Sequence, residues 1–180
     1  MTEIPAPGER GIRYSRRLLP TYRYVPGLHP HPTRDPRGHS YQPIPTLHRH
    51  AAWRVDEWRT LDDWFYGIDL FNRFYFWEAH EAWEGLWAAA EPGNVSSLLL
   101  QGLIQIAAAL LKTHMGVHAG AATLSAAGID KLRRVAAICP RLLGIDVRAT
   151  AAAFAAYFAP LRSGELPTIG PWVPALHVHA

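Results

Sequence analysis

At 180 residues, 49% of them apolar, the chain is long enough for one domain with its own core, or for one domain with a long ordered arm. A charged fraction of 18%, with 10 histidines, 7 tryptophans and 15 prolines filling the gap, excludes simple disorder, and the lone Cys139 excludes an internal disulfide framework. The net charge of +3 conceals an asymmetry: residues 1–60 hold ten arginines against five acids, whereas residues 61–180 hold eight Lys+Arg against ten acids.

Residues 1–50 carry nine of the prolines and five of the histidines. Pro30, Pro32 and Pro36 each lack an amide donor and restrict the residue before them, so no regular helix is expected there. Tyr14, Tyr22, Tyr24 and Tyr41 recur through the segment, which points to an extended arm packed on the domain. A basic arm can bind nucleic acid or an acidic partner, or it can lie on the acidic face of its own domain. The arginines are spread among prolines and aromatics rather than gathered in a patch, so the second reading is preferred and no nucleic-acid partner is expected. The first residues, Met1 to Pro5, lack the charged start and apolar run of a secretory signal.

From Thr60 onward the pattern turns helical. Thr60 with Asp63 reads as a capping arrangement that opens a first helix over about 61–72. A second helix is expected over about 75–90, closed by the Pro92-Gly93-Asn94 turn, and a third over about 96–112, ending before Gly116. A fourth spans about 119–138 and stops at Pro140; a fifth starts with Asp146 as N-cap and ends at Pro160. No strand pattern of useful length occurs. The longest apolar stretch, 98–111, is broken by Gln101 and Gln105 and falls short of the ~20 apolar residues that span a bilayer. The expectation is an all-α bundle of about five helices without membrane contact, cytoplasmic. The chain divides into an extended Pro/Arg/His-rich arm (1–59), a bundle domain (60–160) and an extended tail (161–180).

The second helix carries the chemistry. At about 100° per residue, His80, Glu81 and Glu84 fall within one arc of about 100°, with Trp77 inside it and Trp87 beside it. Phe76, Ala79, Ala82, Trp83 and Leu86 take the opposite side. A solvated face does not need large indoles, so the stripe reads as semi-buried, and semi-buried carboxylates need partners. On the third helix Gln101, Gln105 and Lys112 share an arc of roughly 40°, with small Ala108 between them. A short 91–95 turn would make the two helices antiparallel neighbours, with His80, Glu81 and Glu84 facing Gln101, Gln105 and Lys112.

These motifs are familiar. The run Trp77-Glu78-Ala79-His80-Glu81 with Glu84 and Trp87, and the following Leu99, Gln101-Gly102-Leu103-Ile104, resemble the domain-of-unknown-function 309 family. Gly67-Ile68-Asp69-Leu70-Phe71-Asn72, Gly116 and Gly120-Ala121 agree with it. The arm motifs Tyr24-Val25-Pro26-Gly27, His29-Pro30-His31-Pro32 and Gly38-His39-Ser40-Tyr41 resemble a longer subgroup of that family. The resemblance covers about residues 22–41 and 64–135. It departs at Gly116-Val117, where an asparagine commonly follows the glycine. It implies an all-helical fold and carries no assigned activity.

Imidazole with carboxylates at one-turn spacing is ordinary ligand geometry on a helix, so His80, Glu81 and Glu84 are candidates for a divalent metal site or an acid–base pair. The set is compatible with zinc, manganese or iron, with no preference. The bland reading is a polar network that fixes the register of helices two and three, and Lys112 favours it by supplying the neutralising charge. His29, His31 and His39 either ligate or dock the arm, with docking preferred. Arg34 is a candidate partner of Glu78 or Glu81, within an Arg34-Asp35-Pro36 turn. Tyr66, Asp69 and Asn72 are candidates to line the same pocket. His114 with His118, and His177 with His179, read as surface residues, and Cys139 as structural.

The leading functional expectation is a metal-dependent hydrolase-like or small-molecule site. In it Glu81 or Glu84 is ligand or general base, His80 is ligand or proton carrier, and Lys112 and Arg34 bind an anion. Asp69, Asn72, Trp77, Gln101 and Gln105 complete the substrate-binding set. The rival is a non-catalytic interaction protein in which the stripe only stabilises. No phosphate loop, triad order or thiol pair supports other chemistries, and a second copy of the chain is left open as a partner.

Overall fold

The computed structural model describes residues 11–44 and 51–179. Residues 1–10 and 45–50 of the expected arm, and Ala180 of the tail, lie outside the described residues. Among those described, five α-helices follow in chain order: α1 (Asp62–Asn72), α2 (Phe76–Ala89), α3 (Val95–His114), α4 (His118–Ile138) and α5 (Val147–Tyr157). Short 3-10 helices precede α1 (Val55–Thr60) and follow α5 (Ala159–Ser163), and the architecture is all-α.

Local chemistry sets the boundaries. Asn94 opens α3 by accepting from the Ser97 amide at 2.7 Å, and Asp146 opens α5 by accepting from the Ala149 amide at 2.9 Å. Thr60 does not cap α1. Its hydroxyl donates to the Glu57 carbonyl at 2.8 Å, closing the 3-10 helix before it. Leu61 takes the N-cap position without a side-chain bond, and Asp63 turns to Arg17 instead. Between α4 and α5 runs a minimal antiparallel hairpin, β1 (Arg141–Leu142) with β2 (Ile145–Asp146). Its turn residues Leu143 and Gly144 have φ of +48° and +77°, the mirror-image turn that matches strand twist.

α3 is the central helix, packed against α2 on one side and α4 on the other. Leu99, Leu100, Leu103, Ile106 and Leu110 are fully buried. Among the described residues α3 alone is long and apolar enough to cross a membrane, with a mean hydropathy of 1.6, because the helix extends past 98–111 at both ends. A helix walled in on two sides has little need of polar residues, and 56% of that apolar window is buried. An aromatic cluster ties α1, α2 and α5 together: Phe71 stands 5.8 Å from both Trp83 and Phe154, and Trp64 lies 6.1 Å from Trp83. α1 approaches this cluster through Gly67, where a β-carbon would lie 2.1 Å from Trp83 Nε1.

Residues 11–44 form no helix or strand and run across α1 and α2. Asp69, fully buried, accepts from the main-chain amides of Tyr14 (3.0 Å) and Ser15 (2.8 Å) and from Arg13 Nε (3.1 Å). Buried Arg73, one turn later on the chain, lies 3.4 Å from the same carboxylate. Farther along, Ser15 Oγ donates to Asp62 at 2.9 Å, Arg17 pairs with Asp63, and Tyr66 and Tyr75 donate to the Leu18 and Pro20 carbonyls. The last described residues dock in the same region. Asn72 exchanges two 2.8 Å hydrogen bonds with the Leu176 main chain, the His179 amide donates to the Gly144 carbonyl, and the Val178 amide donates to Tyr14 Oη.

Gly67→Ala adds intrinsic helix propensity but drives a methyl into a locked indole. The expected net effect is a loss of about 1–3 kcal/mol in chemical denaturation, and an unchanged midpoint would show that Trp83 has room to move. Asp69→Ala leaves Arg73 buried without its counter-charge and removes the acceptor of two arm amides. A loss of about 3–5 kcal/mol is expected in the same assay.

Candidate functional site

Along α2, Phe76, Ala79, Trp83 and Leu86 recur every three or four residues and are buried, so the helix can present its other side to the arm and to solvent. That side divides in two. Toward the C-terminal half, His80, Glu81 and Glu84 offer one ligand atom each, all within 4.8 Å of one another. His80 Nδ1 stands 3.3 Å from Glu81 Oε1, an ion-pair separation without hydrogen-bond geometry. Glu81 and Glu84 are exposed, and His80 is partly covered. Burial disfavours the His80 imidazolium, but Glu81, and then Glu84, outweigh it and hold its pKa above the ordinary 6.5.

Toward the arm, α2 forms one wall of a 480 Å³ cleft. Trp77, Glu78, Glu81 and Ala82 line it from α2, Asp63, Tyr66 and Leu70 from α1, and Arg17, Pro20, Thr33, His39 and Ser40 from the arm. Glu78, 5% exposed, takes two donors on one oxygen: the Tyr24 amide at 2.8 Å and His39 Nε2 at 3.0 Å. His39 Nδ1 lies 2.8 Å from Ser40 Oγ, so the ring holds its proton on Nε2 when Ser40 donates. Glu78 Oε2 has no hydrogen-bond partner among the described residues. The loop that delivers His39 turns tightly at Gly38, where a β-carbon would lie 2.3 Å from the Pro32 carbonyl oxygen. Arg17 lies over the Tyr66 ring at 3.9 Å while paired with Asp62 and Asp63. Burial raises the Tyr66 phenol pKa; Arg17 opposes this and Glu78 adds to it.

The structure brings together only part of the expected set. His80, Glu81 and Glu84 cluster, and Trp77 shares the cleft wall with Glu81. Trp77 also stands edge-on to Tyr24 and His31 at 5.2 and 5.5 Å. Lys112 does not face them. His80 lies 12 residues before Pro92 in the α2–α3 hairpin and Ile104 12 after it, which places Gln105 near the level of His80 and Lys112 about two turns beyond. The Lys112 stem lies against Gly120 of α4 instead. Gln105 Oε1 is buried without a hydrogen-bond partner among the described residues, and Gln101 borders a separate 450 Å³ groove with Trp87 and Arg134. Asp69 and Asn72 are consumed in holding the arm and the tail. Arg34 is exposed and, among the described residues, pairs with neither Glu78 nor Glu81; His39 takes Glu78.

Glu78, the most buried acid of the cleft, was not a candidate from the sequence except as a partner of Arg34. One available signal is its place a turn before Glu81, at 60° from it on the helical wheel. His39 carried a signal too, through the Gly38-His39-Ser40 loop motif. Tyr66 does line the cleft. Arg17 and Asp63 gave no sign, since their pairing joins residues far apart in the chain.

The fold and site define an all-helical protein with an acidic, arm-covered cleft on its second helix. Residues 64–124 match the model of the family described as Domain of unknown function (DUF309). That match covers most of α1, all of α2 and α3 and the start of α4, and the arm lies outside it. No curated protein matches the chain.

Two histidines are expected to titrate on opposite sides of the ordinary value. His80 is raised by Glu81 and Glu84, so its stabilisation is full below about pH 6.5 and is lost as pH rises through its folded pKa. His114 is lowered by burial and then by Arg23 and His29, so its stabilisation is present above about pH 6.5 and is lost as pH falls through its folded pKa. NMR titration of the imidazole resonances checks both, and a reversed order would contradict the arrangement.

Proposed function

We propose that the cleft beside α2 binds a small polar molecule, with a divalent cation held at its rim by His80, Glu81 and Glu84 in a hydrolase-like arrangement. The observation that carries this reading is that Glu81 belongs to both the His/Glu/Glu cluster and the cleft wall. Donors bound about 2.0–2.2 Å from one ion stand roughly 3–3.5 Å apart, so the three side chains need to close by about an ångström or more. Exposed Glu81 and Glu84 have the rotamer freedom for that. A bound cation would supply Lewis-acid chemistry at the cleft mouth. Glu84 then serves as ligand or general base, His80 as ligand or proton carrier, and Trp77 and Tyr66 as walls for the substrate.

The rival reading, a stabilising network, drew its strength from burial and from Lys112. Glu81 and Glu84 are exposed and Lys112 is elsewhere, and exposed charge pairs contribute about 0–1 kcal/mol. Calorimetric titration of tag-free protein with zinc and manganese tests the proposal. One equivalent should bind, His80→Ala or Glu84→Gln should weaken it at least about tenfold, and both variants should stay within about 0.5 kcal/mol of the parent in stability. Chelation should lower the melting temperature of the loaded protein. Absence of binding, together with a loss of about 2 kcal/mol or more in Glu81→Gln and Glu84→Gln, would restore the network reading.

A further inference from the structure

We infer that the cleft takes a ligand bearing a protonated amine or a guanidinium, whose N–H groups dock on Glu78 Oε2. This rests on the reading of the cleft as a ligand site and specifies the class of molecule it receives.

The argument begins with the two oxygens of one carboxylate. Oε1 is fully engaged by donors from the arm, the Tyr24 amide and His39 Nε2. Oε2 is buried with no partner among the described residues, although Glu78 lines the cleft. A buried carboxylate oxygen that has lost its water shell needs a donor in return, and an orphan of this kind is the exception in native proteins. Arm and bundle together satisfy one oxygen and leave the other without a donor, on a side chain that lines the cleft.

The charge of the lining selects among donors. Among the described residues, Asp63, Glu78 and Glu81 bring three acids to the cleft lining, against Arg17 as the only Lys or Arg. Arg17 is already neutralised, paired with Asp62 and Asp63. An anion would meet an acidic lining with its one arginine spoken for. A neutral hydroxyl or amide can satisfy Oε2 geometrically, but a cationic donor also gains from the net negative field and from a charge-assisted bond. Tyr66 and Trp77 supply ring surface against which an ammonium or guanidinium, or an attached apolar group, can lie. The 480 Å³ volume falls in the range of small-molecule sites.

The full chain, stripped of metal with chelator, is titrated calorimetrically with benzylammonium, benzyl alcohol and benzoate, and the tryptophan indole signals are followed by NMR. Benzylammonium should bind saturably and shift the Trp77 indole, benzyl alcohol should bind at least about tenfold more weakly, and benzoate should not bind. Glu78→Gln should abolish the preference for the cation. Because that substitution also disturbs the anchorage of Tyr24 and His39, two readouts are independent of it. The ligand comparison is made on the unaltered chain, and Ala82→Leu narrows the cleft from the α2 wall without touching Glu78, so it should block binding. Equal binding of the amine and the alcohol, or no saturable binding at all with water alone in the cleft, would overturn the inference. Metal titration of the unaltered chain separates the two proposals: no metal binding with the amine preference intact removes only the metal reading. Metal bound at one equivalent with no amine preference removes only this one.

Discussion

The arrangement of the site depends on one buried carboxylate. Asp69 sits inside the protein with none of its surface exposed, and an isolated charge there would carry a large desolvation cost. Arg13 and Arg73 supply counter-charge from opposite directions, and the amides of Tyr14 and Ser15 fill the remaining lone pairs. Arg73 belongs to the helical core, but Arg13, Tyr14 and Ser15 do not. The core therefore cannot satisfy its own acid without the arm, and the arm's backbone finds a fully buried charged acceptor there. From that point Ser15, Arg17, Leu18 and Pro20 are led past α1 toward α2 by successive contacts, and His39 and Tyr24 arrive at Glu78 already oriented.

Three acids on α2 show what that covering does. Glu78, Glu81 and Glu84 are spaced three residues apart on one helix and share intrinsic chemistry. Arm residues close over the first and leave the other two to solvent. Glu78 becomes a buried acceptor held between the Tyr24 amide and His39 Nε2. Glu81 and Glu84 stay exposed and draw the His80 titration upward. Position along the helix relative to the arm assigns the roles.

Much of the helical architecture was legible in the sequence because periodicity, Asn94, Asp146 and the prolines are local signals. The helix boundaries agree to within a few residues. Thr60 misled because two helical segments meet there and a hydroxyl at the junction can serve either. The β1–β2 hairpin was invisible because two-residue strands show no alternation. At the site, helical spacing correctly grouped His80, Glu81 and Glu84, which needs only one helix. It failed for Lys112, which shares a wheel arc with Gln101 and Gln105 but lies about two turns farther along α3, with its stem against Gly120 of α4. Asp69 and Asn72 looked like pocket residues because polar side chains on an apolar helix look the same from the sequence whether they meet a ligand or the chain's own backbone. Pairings such as Arg17 with Asp63 and His39 with Glu78 depend on the path of an irregular segment, and no period records that path.

The Tyr14 hydroxyl receives the Val178 amide, so residues 164 positions apart in the chain share one hydrogen bond. Asn72 and Gly144 bind the same closing segment from the bundle side. During synthesis the α2–α3 and α3–α4 hairpins can form from neighbouring residues while this clasp waits for almost the whole chain to emerge. The clasp is therefore a long-range seam, which local contacts cannot close by themselves.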